Sequence, residues 1–440
     1  MRLSRTAGTI AAFLPSLILS ACSKSESTAP PAALRYEHFA TVGSSFDHTC
    51  AVTIGGATYC WGANPFSQLG ETVAGSFCPG RGEANFADGV MPQPYACDSV
   101  PHQVSGAPPF VMIGTGIMHS CGFTAAHDAW CWGGNMFKQL GFSDTTARVT
   151  TPTQVMNSTG VPWVSFAVGD LENLVVGEDN DGYVWGSFNF FGAFGPGGRL
   201  PGLVLSGTPV SSFVGSTEGV CAIYNGVWSC NDLMGGSWGY PIGNDPGFVQ
   251  IVVGSDHLCG LTANGSAYCW GEGSHGQLGL GSHFPTFQTV PAAVIGGHQF
   301  ASLAAGYQMT CGIDLSARLY CWGNIATSTS VNPGVPLARD TTISFTQITA
   351  GFGFMCGISN EQLLYCLGEN RNGEWAMAQR SFAARRRTSQ SCSPRDPRGL
   401  LRLRPLEDRD VAGLVRDEGR LGYCQLGPGV GKLRDANKDK

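Results

Sequence analysis

From residue 39 to residue 375 the chain sets short apolar stretches between turns that carry Gly, Asn and Ser, and one such stretch keeps returning. It first reads Asp47-His48-Thr49-Cys50, a turn, then Tyr59-Cys60-Trp61-Gly62. It returns as His119-Ser120-Cys121 to Trp130-Cys131-Trp132-Gly133, and as His257-Leu258-Cys259 to Tyr268-Cys269-Trp270-Gly271. Two more copies run from Met309-Thr310-Cys311 to Tyr320-Cys321-Trp322-Gly323 and from Phe354-Met355-Cys356 to Tyr365-Cys366-Leu367-Gly368. Divergent copies span Cys221 to Cys230 and Leu174 to Val184-Trp185-Gly186. The anchor positions are 50, 121, 174, 221, 259, 311 and 356, six steps over 306 residues with a mean of 51. A fixed period of this length predicts one supersecondary unit per copy. Each anchor pair flanks a turn such as Ile54-Gly55-Gly56, Asn225-Gly226 or Asn264-Gly265, so each copy is expected to hold an antiparallel hairpin.

Composition narrows the class. Charged residues are 13% and Gly is 62 of 440, about half and about twice the usual shares. With 43% hydrophobic residues a sizeable core can be buried, which excludes a disordered chain, a coiled coil and a mostly helical enzyme. Charge is uneven: residues 1–375 carry −13 and residues 376–440 carry +7. A shift that abrupt predicts a boundary at 375/376.

The N-terminus reads as an export signal. Arg2 and Arg5 precede a short apolar run, Ile10 to Leu19, too short to span a bilayer. Leu19-Ser20-Ala21-Cys22 resembles the lipobox of bacterial lipoproteins. That resemblance implies cleavage before Cys22, lipid on its thiol and amino group, and, with Ser23-Lys24 following, the outer membrane. The alternative is an ordinary secretory signal with a chance Cys. Residues 1–22 are thus a signal segment and 23–38, rich in Ser, Pro and Ala, a tether.

An exported chain sits where disulfides persist. Cys50/Cys60, Cys121/Cys131, Cys259/Cys269, Cys311/Cys321 and Cys356/Cys366 are ten apart, and Cys221/Cys230 nine. Facing residues of a hairpin lie within disulfide range, so each pair is expected to form a bridge. In the third copy Leu174 and Val184 replace both thiols together, as contact between them would require. Cys78 and Cys97 fall in one long loop, read as an insertion at 71–104. Cys392 and Cys424 lie in the tail. Metal binding is the competing reading; isolated pairs without C-x₂-C spacing speak against it.

Further recurrences extend the motif. Gly116, Gly169, Gly254, Gly306 and Gly351 sit five before the first anchor, with Ser45 in the first copy. Gln68-Leu69-Gly70, Gln139-Leu140-Gly141 and Gln277-Leu278-Gly279 follow the Trp by seven. Over residues 39–374 the pattern resembles the repeat of the regulator-of-chromosome-condensation family in its Cys-containing bacterial form. The resemblance implies an all-β, seven-bladed β-propeller of four-stranded blades with a disulfide inside each blade. It also implies the activity for which the eukaryotic family is known, guanine-nucleotide exchange on a small GTPase, which export argues against.

The seventh copy breaks off. Glu374 occupies the Gln position, but Trp375-Ala376-Met377-Ala378 follows instead of Leu-Gly. One base inserted before the Trp codon gives codons that permit Leu-Gly-Asp-Gly. Residues 376–440 are therefore read as out-of-frame translation, or else as a basic extension with a Cys392–Cys424 bridge. A propeller cut there is expected to close poorly.

No catalytic or metal-binding constellation emerges. His48, His119 and His257 share one position that holds Glu172, Gly219, Met309 and Phe354 elsewhere, so the histidines are read as stabilising a turn. Trp61, Trp132, Trp185, Trp270 and Trp322 recur as packing between blades. Asp170 and Glu172 form an acidic spot with no partner carboxylate assigned. No P-loop, H-E-x-x-H or G-x-S-x-G is present. The expectation is a non-enzymatic scaffold of the cell envelope, without cofactor or metal and without nucleic acid as partner, held by lipid at Cys22. It would bind a protein or glycan through rim loops, the insertion 71–104 and Phe188 to Phe194 foremost. A carbohydrate-active enzyme is the remaining alternative.

Overall fold

The computed structural model describes residues 37–368, except 72–76, 79–84, 87–88, 91–94, 143–145, 187–200, 206–208, 217–218, 225–226, 231–239, 243–244, 282–285, 326–333 and 340–341, and three short strands beyond them. Seven antiparallel sheets follow one another along the chain as the blades of a β-propeller. The first strands are Phe39–Ser44, Phe110–Thr115, Trp163–Val168, Val210–Ser216, Phe248–Val253, Phe300–Ala305 and Phe345–Ala350. Each packs beside the first strand of the next blade, and the seventh packs beside the first. The second and third strands are the hairpins expected around the anchors.

Register explains the spacing of the anchors. Cys50 faces Cys60, Cys121 faces Cys131 and Cys221 faces Cys230, and the later pairs do the same. All six bridges are formed, with Cα atoms 4.0–4.2 Å apart. Leu174 faces Val184 in the same register, so the third blade keeps the geometry and replaces the bridge with an apolar contact. Cys97 is also disulfide-bonded. The side chain of Cys78 lies outside the described residues; in backbone register Cys78 faces Tyr95, and Phe77 faces Ala96.

The core lies between blades. Cys259, Cys269 and Leu278 of blade 5 pack on Phe300, Leu303 and Trp322 of blade 6. Phe39, Val42 and Trp61 of blade 1 pack in the same way on Phe354, Cys356 and Leu364 of blade 7. Every blade therefore buries one face against each neighbour, which a lone four-stranded sheet could not do. The recurrent glycine permits this approach. A Cβ on Gly254 would fall 2.5 Å from the Gly306 carbonyl oxygen, and one on Gly351 2.5 Å from that of Ser45.

The ring closes, contrary to the expectation from the broken seventh copy. In the hairpin turns of blades 3, 5, 6 and 7 one residue has positive φ, namely Asn180, Gly265, Ala317 and Gln362. Its carbonyl accepts the N–H that opens the next blade: Val210 N–H donates to Asn180 (2.8 Å), Phe300 N–H to Gly265 (2.7 Å) and Phe345 N–H to Ala317 (3.0 Å). Blade 7 gives blade 1 the same bond, Phe39 N–H to the Gln362 carbonyl at 2.8 Å. Thr349 Oγ1 adds bonds to the N–H and carbonyl of Ser44 at 3.0 and 3.3 Å.

Two differences from the sequence reading concern outer strands. The stretch 71–104 is not all insertion. Tyr95–Gln103 is the fourth strand of blade 1, with Tyr59 facing Gln103. The seventh sheet has three strands among the described residues, where the other six have four or more. Residue 374 and the proposed change of frame lie just past its third strand, Leu364–Gly368, outside the described residues. Of the tail 376–440 only Cys392–Ser393, Gly413–Asp417 and Arg420–Cys424 are described, with Cys392 opposite Cys424 in backbone register. The signal segment 1–22, Cys22 and the tether up to residue 36 also lie outside the described residues.

Candidate functional site

The recurring polar side chains hold blades to one another and loops to themselves. His48 Nε2 lies 2.8 Å from Ser120 Oγ, one blade on. That hydroxyl donates to the Gln68 carbonyl at 2.9 Å, so it must accept from the imidazole N–H. The Gln68 carbonyl also accepts Trp132 Nε1–H at 2.9 Å. Between blades 2 and 3 the parts recur. His119 donates to Asn173 Oδ1 (3.2 Å), and Asn173 Nδ2 (2.7 Å) and Trp185 Nε1 (3.1 Å) both donate to the Gln139 carbonyl. Between blades 5 and 6, His257 donates to Thr310 Oγ1 (2.8 Å), which donates to the Gln277 carbonyl (2.9 Å). The Gln side chains hold their own loops, accepting from the N–H of Phe66, Phe137 and His275 at 2.9 Å. The histidines thus bridge two blades and do not stabilise a turn within one.

Burial makes these imidazoles neutral. His48 and His257 are lowered to about 3 and His119 to about 4, chiefly by loss of hydration. Nδ1 of each is buried without a hydrogen-bond partner, so the single proton sits on the Nε2 that makes the bridge.

Blade 3 puts Glu172 in the histidine slot. It is buried, 1% exposed, and not part of an exposed acidic spot as the sequence suggested. Oε2 accepts the Leu171 N–H at 3.1 Å, and burial, with Asp170 beside it, holds the carboxyl well above the usual carboxylate range.

What remains for recognition are the positions that differ between blades. One residue after the glycine position, each blade turns from its first to its second strand at one mouth of the ring. Here stand Phe46, Ile117, Asp170, Ser255, Tyr307 and Phe352; the counterpart in blade 4, Thr217, lies outside the described residues. Backbone bonds link these turns: Phe352 N–H to the Phe46 carbonyl (3.1 Å), Tyr307 to Gly351 (3.2 Å) and Ile117 to Asp170 (2.9 Å). Tyr307 and Phe352 stack at 4.3 Å, and Phe46 meets Phe352 and Tyr307 edge-on at 5.2 and 5.9 Å. Asp170 Oδ1 lies 3.5 Å from Ser45 Oγ, next to Phe46 in sequence, which brings a carboxylate from blade 3 close to the aromatic group. Aromatic faces beside a carboxylate suit a cationic or aromatic group of a partner.

A second cluster was missed by sequence reasoning. His102, on the fourth strand of blade 1, has Nδ1 2.8 Å from Glu71 Oε1 and Nε2 2.5 Å from Asp98 Oδ2. It ties the two ends of the excursion between the third and fourth strands. Burial, and secondarily Asp98, raises the Glu71 carboxyl against the opposing pull of His102. No group of three or more His, Cys, Asp or Glu side chains is placed to hold a metal ion among the described residues. The other loop expected to bind, Phe188 to Phe194, lies outside them.

Comparison with known proteins agrees with this architecture. Models of the regulator of chromosome condensation (RCC1) repeat match residues 127–175, 248–277 and 264–313. Protein pim1 of Schizosaccharomyces pombe is 24% identical over 260 residues, covering 58% of this chain and 41% of pim1. The guanine nucleotide exchange factor SRM1 of Saccharomyces cerevisiae is 25% identical over 242 residues, covering 53% of this chain and 41% of SRM1. The chain thus spans less than half the length of these relatives. A solved structure of yeast RCC1 (Prp20) bound to Kap60 superposes with a TM-score of 0.59 at 15% identity, covering 85% of this chain and 87% of that one. The chain therefore carries RCC1 repeats, folded as a seven-bladed β-propeller with disulfides inside its blades.

Proposed function

We propose that the chain is a non-enzymatic binding scaffold of the cell envelope, lipid-anchored at Cys22, which recognises a protein or glycan through the aromatic mouth and neighbouring rim loops. One observation carries this reading. The residues that recur from blade to blade are consumed in joining blades, whereas Phe46, Asp170, Tyr307 and Phe352 differ from blade to blade and gather at one mouth. Repeat propellers use variation on a constant frame for recognition. The test is photo-crosslinking at position 308 in living cells, with and without Phe46→Ala/Tyr307→Ala. A discrete adduct that disappears in the variant, while its melting temperature holds, supports the mouth as the site. An unchanged adduct overturns it.

Nucleotide exchange on a small GTPase is the second reading, supported by the likeness to SRM1. Export places the chain away from cytoplasmic GTPases, which argues against it. Accelerated release of fluorescent GDP from a GTPase of the same cell, together with a cytoplasmic fraction of the chain, would establish it. Out-of-frame translation after codon 374 would account for a seventh blade with three strands among the described residues. Sequencing the gene over codons 370–440 decides this, since an intact frame there rejects it.

A further inference from the structure

The opposite face, where the first strands begin, has no role so far. In every blade the pairing of first and second strands slips at the second residue of the first strand, as between Phe39 and Thr41. The bulged residue is left out of the ladder. It is exposed in all seven blades and charged in none. Val111, Val164 and Val249 occupy three of these positions at 57, 49 and 59% exposure; the rest hold Ala, Ser or Thr. The hairpin turns of the same face add Ile54 and Leu315 at 61 and 65%. A single exposed aliphatic residue is ordinary. Five on one face, three of them in a ring without charge, form a pattern. The charged side chains in the described hairpin turns of this face are mainly acidic: Asp128 in blade 2, Glu178, Asp179 and Asp181 in blade 3, Asp314 in blade 6 and Glu361 in blade 7, against Arg318 in blade 6.

A second observation concerns where the chain enters. Phe39 opens the first strand of blade 1, so the chain joins the ring on this face. Cys22 lies 17 positions upstream, and 17 residues reach at most about 60 Å. A lipid on Cys22 would therefore hold the point on this face where the chain enters within that distance of the bilayer.

We propose that this face rests on the lipid surface, its aliphatic ring against the boundary between headgroups and acyl chains of electrically neutral lipids. The proposal rests on the reading of Cys22 as the anchor. It leaves the aromatic mouth turned away from the bilayer, open to a partner. The acidic turns of blade 3 select neutral over anionic headgroups, since like charge repels.

Hydrogen exchange on the full chain tests it, comparing lipidated protein in phosphatidylcholine vesicles with Cys22→Ala protein in solution. The expected result is slower exchange in segments holding Ile54, Val111, Val249 and Leu315, with no change around Gly306 to Gln308. Adding phosphatidylglycerol should weaken the effect. The variant Val111→Glu/Val249→Glu/Leu315→Glu, altered only at exposed positions, should keep its lipid and its melting temperature and lose the protection. Protection at the aromatic mouth, at neither face, or strengthened by anionic lipid overturns the proposal. Mass spectrometry separates the two readings. If Cys22 carries no lipid, the anchor reading fails, and flotation of the unanchored chain with the same vesicles decides the face. Flotation lost in the triple variant supports the proposal; no flotation overturns it.

Discussion

Replacing Thr310 by Val tests the bridge between blades most directly. The two side chains have nearly the same shape, so packing changes little and only the hydroxyl is lost. That hydroxyl accepts from His257 Nε2 and donates to the Gln277 carbonyl, and all three groups are buried. Val therefore strands one donor and one acceptor away from water. Each orphan costs about 1–3 kcal/mol, so the variant should lose about 2–5 kcal/mol. Thr310→Ser keeps the hydroxyl and should lose only the contribution of one methyl, about 1 kcal/mol. His257→Leu leaves the Thr310–Gln277 bond in place, so the double variant should be milder than the sum of the single ones by roughly 1 kcal/mol. Urea unfolding under non-reducing conditions, far-UV circular dichroism and intrinsic tryptophan fluorescence give these values. If Thr310→Val is no worse than Thr310→Ser, the bridge contributes nothing net and the account of the histidine position fails.

Stability should also depend on pH with a definite sign. His48, His119 and His257 have folded values of about 3 to 4, below the unfolded 6.5, so they disfavour the folded state once the unfolded chain can protonate them. Their contribution is intact above pH 6.5 and falls as pH drops towards 4. Glu172 acts oppositely, because its carboxyl is raised and its burial grows less favourable as pH rises above the ordinary carboxylate value. Three histidines against one carboxyl leave a net uptake of protons on unfolding near pH 5.5, so stability should fall as pH drops by about 1.4 kcal/mol per pH unit for each net proton, readable from urea midpoints between pH 4.5 and 6.5. Glu172→Gln should remove the opposing part and steepen that fall; an unchanged profile would show that Glu172 is ionised in the fold. Leu174→Cys/Val184→Cys should form a seventh hairpin bridge in the shared register, worth about 3 kcal/mol for so short a loop, with thiol titration finding no new free thiol. Gly306→Ala, whose Cβ would meet the Gly351 carbonyl, should destabilise by at least the 1–3 kcal/mol of an overpacked core, measured in the same unfolding assay.

The hairpins, the bridges and the number of blades were legible because they are local. Ten residues separate Cys259 from Cys269, and a turn sits between them. The bridges between blades were not, because His257 and Thr310 are 53 residues apart and the acceptor they serve is a main-chain carbonyl, which has no signature in sequence. A trace was nonetheless present. The copy after each histidine has a small polar residue just before its anchor, namely Ser120, Asn173 and Thr310, whereas Met309 is followed by Met355. Reading successive copies against each other would have exposed the pairing. Closure was misjudged for a related reason. The repeat motif breaks off in sequence after Glu374, past the third strand, while closure depends on the first strands and a hairpin turn, through Phe39, Thr349 and Gln362. The aromatic mouth could not be read at all, since its members are the residues that break the repeat.

The bond from the Phe39 N–H to the Gln362 carbonyl is the same bond that joins blades 3 and 4, 5 and 6, and 6 and 7, and this makes the ring a hoop whose closing joint is built like joints inside the chain. Where the chain happens to be covalently interrupted is mechanically almost invisible among these four junctions, because the same noncovalent bond holds each of them. A circular permutant that opens between blades 5 and 6 and links the present ends should therefore assemble the same hoop. Rupture, once begun at any junction, frees one flank of each adjoining blade and leaves both with half their burial, so failure should spread around the hoop from wherever it starts.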